Sequence, residues 1–143
     1  MKQITLLLLS YSLFACGYFY SEKVTRVIDG DTFVVNSNGK EVTIRLYGIH
    51  APKYKHTLAA KAKKKLSELI LGKKVLCMGS GVYKKGVVVC NVSMGKNDIG
   101  LSMIESGFAW YSIKYKAKNY IKAQGLAKKE RKGLWKDMVP ASL

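Results

Sequence analysis

The chain has 143 residues, with 25 Lys and Arg against 9 Asp and Glu, a formal +16. That length suits one domain able to bury a core without metals or staples, so a single domain is expected. The positive excess predicts polyanionic partners such as nucleic acid, anionic lipid head groups or acidic glycans, without choosing among them.

The first twenty or so residues differ in kind from the rest. Lys2 is the only charge before Glu22, and Ile4 to Ala15 is nearly continuous apolar sequence. A short positive start followed by an apolar run too brief to span a bilayer comfortably predicts a signal peptide over residues 1–21, with a short transmembrane anchor as the alternative. Leu13-Phe14-Ala15-Cys16-Gly17 resembles a bacterial lipobox, apart from Phe14. Two readings stay open: lipidation of Cys16 tethers the protein to a membrane, and ordinary cleavage releases it to the periplasm or medium. Either way the folded part, residues 22–138 with a short tail at 139–143, is expected to be exported. Removing the leader takes away only Lys2 and leaves a formal +15.

From Lys23 to Val35 the sequence is β-branched and apolar apart from Asp29-Gly30-Asp31, which predicts two strand segments joined at a bend. Asn36-Ser37-Asn38-Gly39 supplies hairpin turn chemistry. The return strand, Glu41 to Tyr47, alternates so that Arg45 faces away from Ile44 and Leu46. Thr57 to Leu71 predicts a helix that buries Leu58, Ala62, Leu66, Leu69 and Ile70 and turns Lys61, Lys63, Lys64 and Lys65 to solvent, with Gly72 as its stop. Val75 to Met78 and Val87 to Val92 predict short strands joined by a loop from Gly79 to Gly86. Further helices are expected over Asp98 to Gly107 and from about Asn119 to Arg131. Five short strands and three helices, one helix inserted between strands three and four, predict an α+β architecture: a five-stranded OB-fold Greek-key barrel with three helices.

Cys77 and Cys90 occupy mirrored positions about Tyr83-Lys84, which places them on neighbouring antiparallel strands. A disulfide and two buried thiols remain open as alternatives, and no Cys-x-x-Cys or Cys/His metal spacing is present.

Four segments resemble the thermonuclease-like (staphylococcal nuclease) family in order and spacing: Val27 to Thr32, Ile44 to Pro52, Gly107-Phe108-Ala109-Trp110 and Gly133-Leu134-Trp135. The resemblance implies an OB-fold barrel and, in active members, a Ca2+-dependent phosphodiesterase acting on DNA and RNA. Such chemistry needs a cation on the equatorial oxygens, a base for the attacking water, and donors that tighten as charge builds. The resemblance assigns the first metal aspartate to Asp31 and the first phosphate-gripping arginine to Arg45. His50 stands at the second metal aspartate, with Ala51 after it. Lys53 replaces the glutamate beyond Pro52, and Lys85, or its neighbour Lys84, replaces the second arginine.

Asp31, Arg45, Lys53 and Lys85, with His50 neutral, sum to a formal +2. A lysine beside a Ca2+ site is repulsive, so Asp31 alone is expected to hold metal weakly if at all, and no cofactor is expected unless nuclease activity persists with Ca2+. His50 suits a general base by its ordinary pKa, and Arg45 and Lys53 are expected to lower that pKa. Arg45, Lys53, Lys84 and Lys85 are the expected phosphate contacts, with Tyr83 and Tyr115 as stacking residues. Trp110 and Trp135 are assigned to packing and His56 to an exposed loop. The expected function is a monomeric, exported domain that binds nucleic acid or another polyanion, with hydrolysis lost or impaired. An active phosphodiesterase with a remodelled site is the first rival, and an envelope interaction protein is the second.

Overall fold

The structure is a computed structural model describing residues 18–136, with the side chains of residues 18–20 and 80–84 excepted. Cys16 and the side chains of Tyr83 and Lys84 therefore lie outside the described residues.

β1 (Tyr18–Val27) and β2 (Thr32–Ser37) are antiparallel, joined by the Asp29-Gly30-Asp31 bend. β3 (Lys40–Leu46) returns along β2 with Thr32 opposite Arg45. β5 (Lys74–Lys84) lies against β1, and β6 (Val87–Met94) against β5. A parallel pairing of β3 with β6 closes these five strands into a barrel. α1 (Ala59–Ile70) is inserted between the third and fourth barrel strands, as its periodicity predicts. It buries Ala62, Leu66 and Ile70. Inside the barrel, Val24, Phe33, Ile44, Leu46, Val75, Val88 and Val92 meet Ile99, Met103 and Ile104 of α2 (Ile99–Glu105). Asp98 caps α2 by accepting from the Leu101 amide at 2.9 Å and also receives the Tyr120 hydroxyl from α3 (Lys118–Lys129).

Several expectations need correction. The Gly79 to Gly86 loop is largely strand: β5 runs on to Lys84 through an irregularity between Met78 and Val82, and Val82 and Tyr83 pair with Val89 and Val88. The reversal is confined to Lys85 and Gly86, both at positive φ, 53° and 77°. Its glycines had suggested a loop, but tertiary pairing along β6 overrides that local preference. Cys77 is opposite Val92 rather than Cys90, because the hairpin reverses at Lys85-Gly86 and not at Tyr83-Lys84; the irregularity between Met78 and Val82 brings the two cysteines nearer in register. The two cysteines are nevertheless joined by a disulfide, with Cα atoms 5.8 Å apart. The first helix starts two residues later than expected, after a turn in which His56 Nδ1 accepts from the Leu58 amide at 3.1 Å. β1 also begins at Tyr18, ahead of the strand start expected at Lys23.

Three short strands went unforeseen. β4 (Ile49–His50) and β8 (Trp110–Tyr111) form a two-stranded antiparallel ladder outside the barrel, with His50 opposite Trp110. Two-residue strands are too short for any alternation to show. β7 (Asn97–Asp98) extends the edge beside β6.

Candidate phosphate site

The bend between β1 and β2 exists because Gly30 has no side chain: a Cβ there would lie 2.7 Å from the Ala62 Cβ on α1 and 2.8 Å from that of Ala51. This approach brings the Asp29-Gly30-Asp31 bend under the Ala51-Pro52-Lys53 loop. Asp31 is wholly buried. Its Oδ2 accepts from the Ala51 amide at 3.0 Å and faces Arg45 at 3.6 Å. Its Oδ1 accepts from the Thr32 hydroxyl at 2.8 Å and from the Lys53 ammonium. The same ammonium reaches Asp29 Oδ2 at 3.0 Å, so Lys53 bridges two carboxylates.

Asp29, expected only as part of the bend, is the second carboxylate partner of Lys53. Its Oδ1 accepts from the Asp31 amide at 3.0 Å, an Asx turn that the i, i+2 spacing already signals. Burial pushes the Asp29 pKa up, but the Asp31 amide and the Lys53 ammonium outweigh it and hold the carboxylate below its usual range.

Arg45 leaves the barrel on the face opposite Ile44 and Leu46, and its side chain is 38% exposed. Its Nη2 donates to His50 Nδ1 at 3.3 Å. A guanidinium only donates, so Nδ1 is the acceptor and the imidazole proton sits on Nε2. Burial lowers the His50 pKa, and the Arg45 guanidinium and the Lys53 ammonium lower it further against the opposing Asp31 carboxylate. This neutral His50 offers a donor outward, and the nitrogen a general base needs is taken by Arg45.

Arg45 lies between two cavities. One, of about 430 Å3, is lined by Arg45, Tyr47, Gly48, His50, Ser112, Lys114 and Tyr115 among others. The other, of about 360 Å3, is lined by Thr32, Arg45, Lys85, Val87 and Val89. The structure thus brings Arg45, His50 and Tyr115 together on one side of the guanidinium and sets Lys85 on the other. Tyr115 is held more tightly than a free stacking residue: it meets Tyr47 edge-on at 4.6 Å, and its ring lies so close over Gly48 that a Cβ there would collide with it. Trp135 packs, at 9% exposure, whereas Trp110 is 36% exposed; assigning Trp110 to packing was mistaken.

The donor set does not fit Ca2+. That ion takes six to eight oxygens, whereas both oxygens of Asp31 are engaged by donors and Lys53 stands between the two carboxylates. Among the described residues no three His, Cys, Asp or Glu side chains gather as metal ligands.

Residues 43–137 match the family described as Staphylococcal nuclease homologue. The chain belongs to that family. It is 31% identical over 121 residues to a protein of Escherichia coli named an uncharacterized endonuclease, covering 82% of this chain and 78% of that one. A micrococcal nuclease of Shigella flexneri is 27% identical over 128 residues, covering 80% and 73%. Escherichia coli Protein ParB is 26% identical over 127 residues, covering 80% and 72%. The closed barrel with three helices is the architecture of this nuclease family.

Proposed function

We propose that this protein is an exported member of the nuclease family that binds nucleic acid through its phosphates and has lost metal-dependent hydrolysis. The observation that carries this reading is the Lys53 ammonium between Asp29 and Asp31. A fixed monovalent cation neutralises the carboxylates where a hydrolytic site needs a divalent ion, and it leaves no opening for that ion. Arg45, held through Nη2 by His50 and Asp31, keeps its other guanidinium N–H groups for a phosphate, with the His50 Nε2–H beside it. Lys85 and Lys114 line the two adjoining cavities and extend the positive surface along a backbone. Nothing in this set takes a proton from water, because the one imidazole acceptor is occupied.

The two nuclease-named relatives favour nucleic acid over other polyanions. A leader with the Cys16 lipobox supports export, with a membrane tether if that cysteine is lipidated.

The test incubates the mature protein with labelled single-stranded DNA and RNA, in Ca2+ or in EDTA, and follows anisotropy and fragment length together. Binding is expected to be equal in both buffers, without cleavage. It should weaken about tenfold or more between 50 and 200 mM salt, as release of counterions from a few phosphates requires. Ca2+-dependent cleavage abolished by Asp31→Ala would refute the reading.

A further inference from the structure

A third cavity, of about 330 Å3, is lined by His56, Trp110, Leu134 and Trp135. It shares no lining residue with the two cavities at Arg45, yet it is joined to them through the short outer ladder. His50 lines the larger Arg45 cavity and is paired across the ladder with Trp110, the ring centroids being 6.2 Å apart. One cross-strand step therefore leads from the phosphate-facing groups to an exposed indole.

We propose that this cavity is a base-stacking subsite for single-stranded nucleic acid, with Trp110 as its platform. The inference rests on the reading of the Arg45 cleft as a phosphate site, which fixes where a strand runs. The walls suit a nucleobase. Trp135 is held in place with the Lys128 ammonium 4.6 Å from its ring centroid, so that ring is a fixed wall carrying a cation. Trp110 is the indole with free surface. His56 gives its Nδ1 to the Leu58 amide, which leaves the proton on Nε2 as a donor at the rim for a ring nitrogen or carbonyl of the base. An acyl chain makes no use of that donor. The cavity volume falls at the lower end of small-molecule pockets, about 300–1,000 Å3. Stacking on an aromatic face tolerates every base, so the subsite adds affinity for unpaired strands without reading sequence. A duplex keeps its bases stacked inside and gains nothing from it.

The chain has two tryptophans, and both line this cavity, so emission excited selectively from tryptophan reports on it, and the abasic strand controls for any effect of phosphate binding beside His50. The full mature chain is titrated with single-stranded oligothymidylate and with an abasic oligomer of equal length, which offers the same phosphates and no bases. Anisotropy of an end label gives affinity, and tryptophan emission gives occupancy of the cavity. Oligothymidylate is expected to quench emission and the abasic strand to leave it unchanged. Trp110→Ala should weaken oligothymidylate binding on the order of tenfold while leaving abasic binding as it was, and Trp110→Phe should retain most of the affinity. Unchanged abasic binding also shows that each variant is folded. Equal binding of the two oligomers without quenching, or an equal loss of both in Trp110→Ala, overturns the stacking subsite and leaves the phosphate reading standing. Failure of both oligomers to bind the unmodified protein overturns both.

Discussion

Asp31 shows how one substitution changes the work of a retained residue. Its two oxygens take the Thr32 hydroxyl, the Ala51 amide and the Lys53 ammonium and face Arg45, which ties the bend, β4 and the loop after Pro52 into one unit. Lys53→Met leaves that buried carboxylate short of a partner at a cost of about 1–2 kcal/mol, toward the low side because the lysine is half exposed. Thermal unfolding should fall by roughly 3–10 °C, and adding Asp31→Asn should recover part of the loss. A melting point indifferent to Lys53→Met would mean that the bridge contributes nothing. His50 gives a pH dependence. Its folded pKa lies below the ordinary 6.5, so the unfolded chain binds more protons as pH falls through that value, and stability present above it is lost on acidification. Between pH 7.5 and 5.5 the wild type should lose more stability than His50→Gln; parallel melting curves would contradict this. Asp31, Arg45 and the replacements at His50 and Lys53 were legible as positions in a motif. The bridge itself was not, because Lys53 and Asp31 are 22 residues apart and meet only once Gly30 lets α1 approach.

At the scale of elements, the disulfide pins β5 to β6 where their register breaks. Closing a short loop by such a bond is worth about 3 kcal/mol, so Cys77→Ala with Cys90→Ala should melt about 10 °C lower. A shift of only a degree or two would show that the ladder alone fixes the strands. The start of β1 bears on processing. Residues 18–21 supply four of the six pairings between β1 and β5, which cleavage after Ser21 would remove and cleavage ahead of Cys16 would keep. Mass spectrometry of the exported protein should therefore find an N-terminus ahead of Tyr18; one at Glu22 would contradict this. Barrel strands and helices were readable because alternation and helical periodicity survive over five or more residues. β4 and β8 were not readable, and the far half of β5 looked like a loop, because two residues carry no period and glycines signal a turn that cross-strand pairing here overrules. The exposure of Trp110 follows from that same missed ladder.

Across the molecule, the charge excess and the site tell one story at two ranges. On the proposed reading, the excess of 25 basic over 9 acidic side chains steers a polyanion toward the surface, and the lysines on α1 and on the 114–118 segment act in this diffuse way. The Arg45 cleft gives the contact a place, between two cavities that open on either side of one guanidinium. The claim that a built-in ammonium has replaced the metal is tested most directly by calorimetric titration with Ca2+ in the absence of nucleic acid. The wild type should show no binding heat at millimolar Ca2+, and the double variant His50→Asp with Lys53→Glu should bind the ion, since it exchanges a repelling cation for two carboxylates beside Asp31. Saturable Ca2+ binding by the wild type that disappears in Asp31→Ala, or no gain in the double variant, would contradict the account.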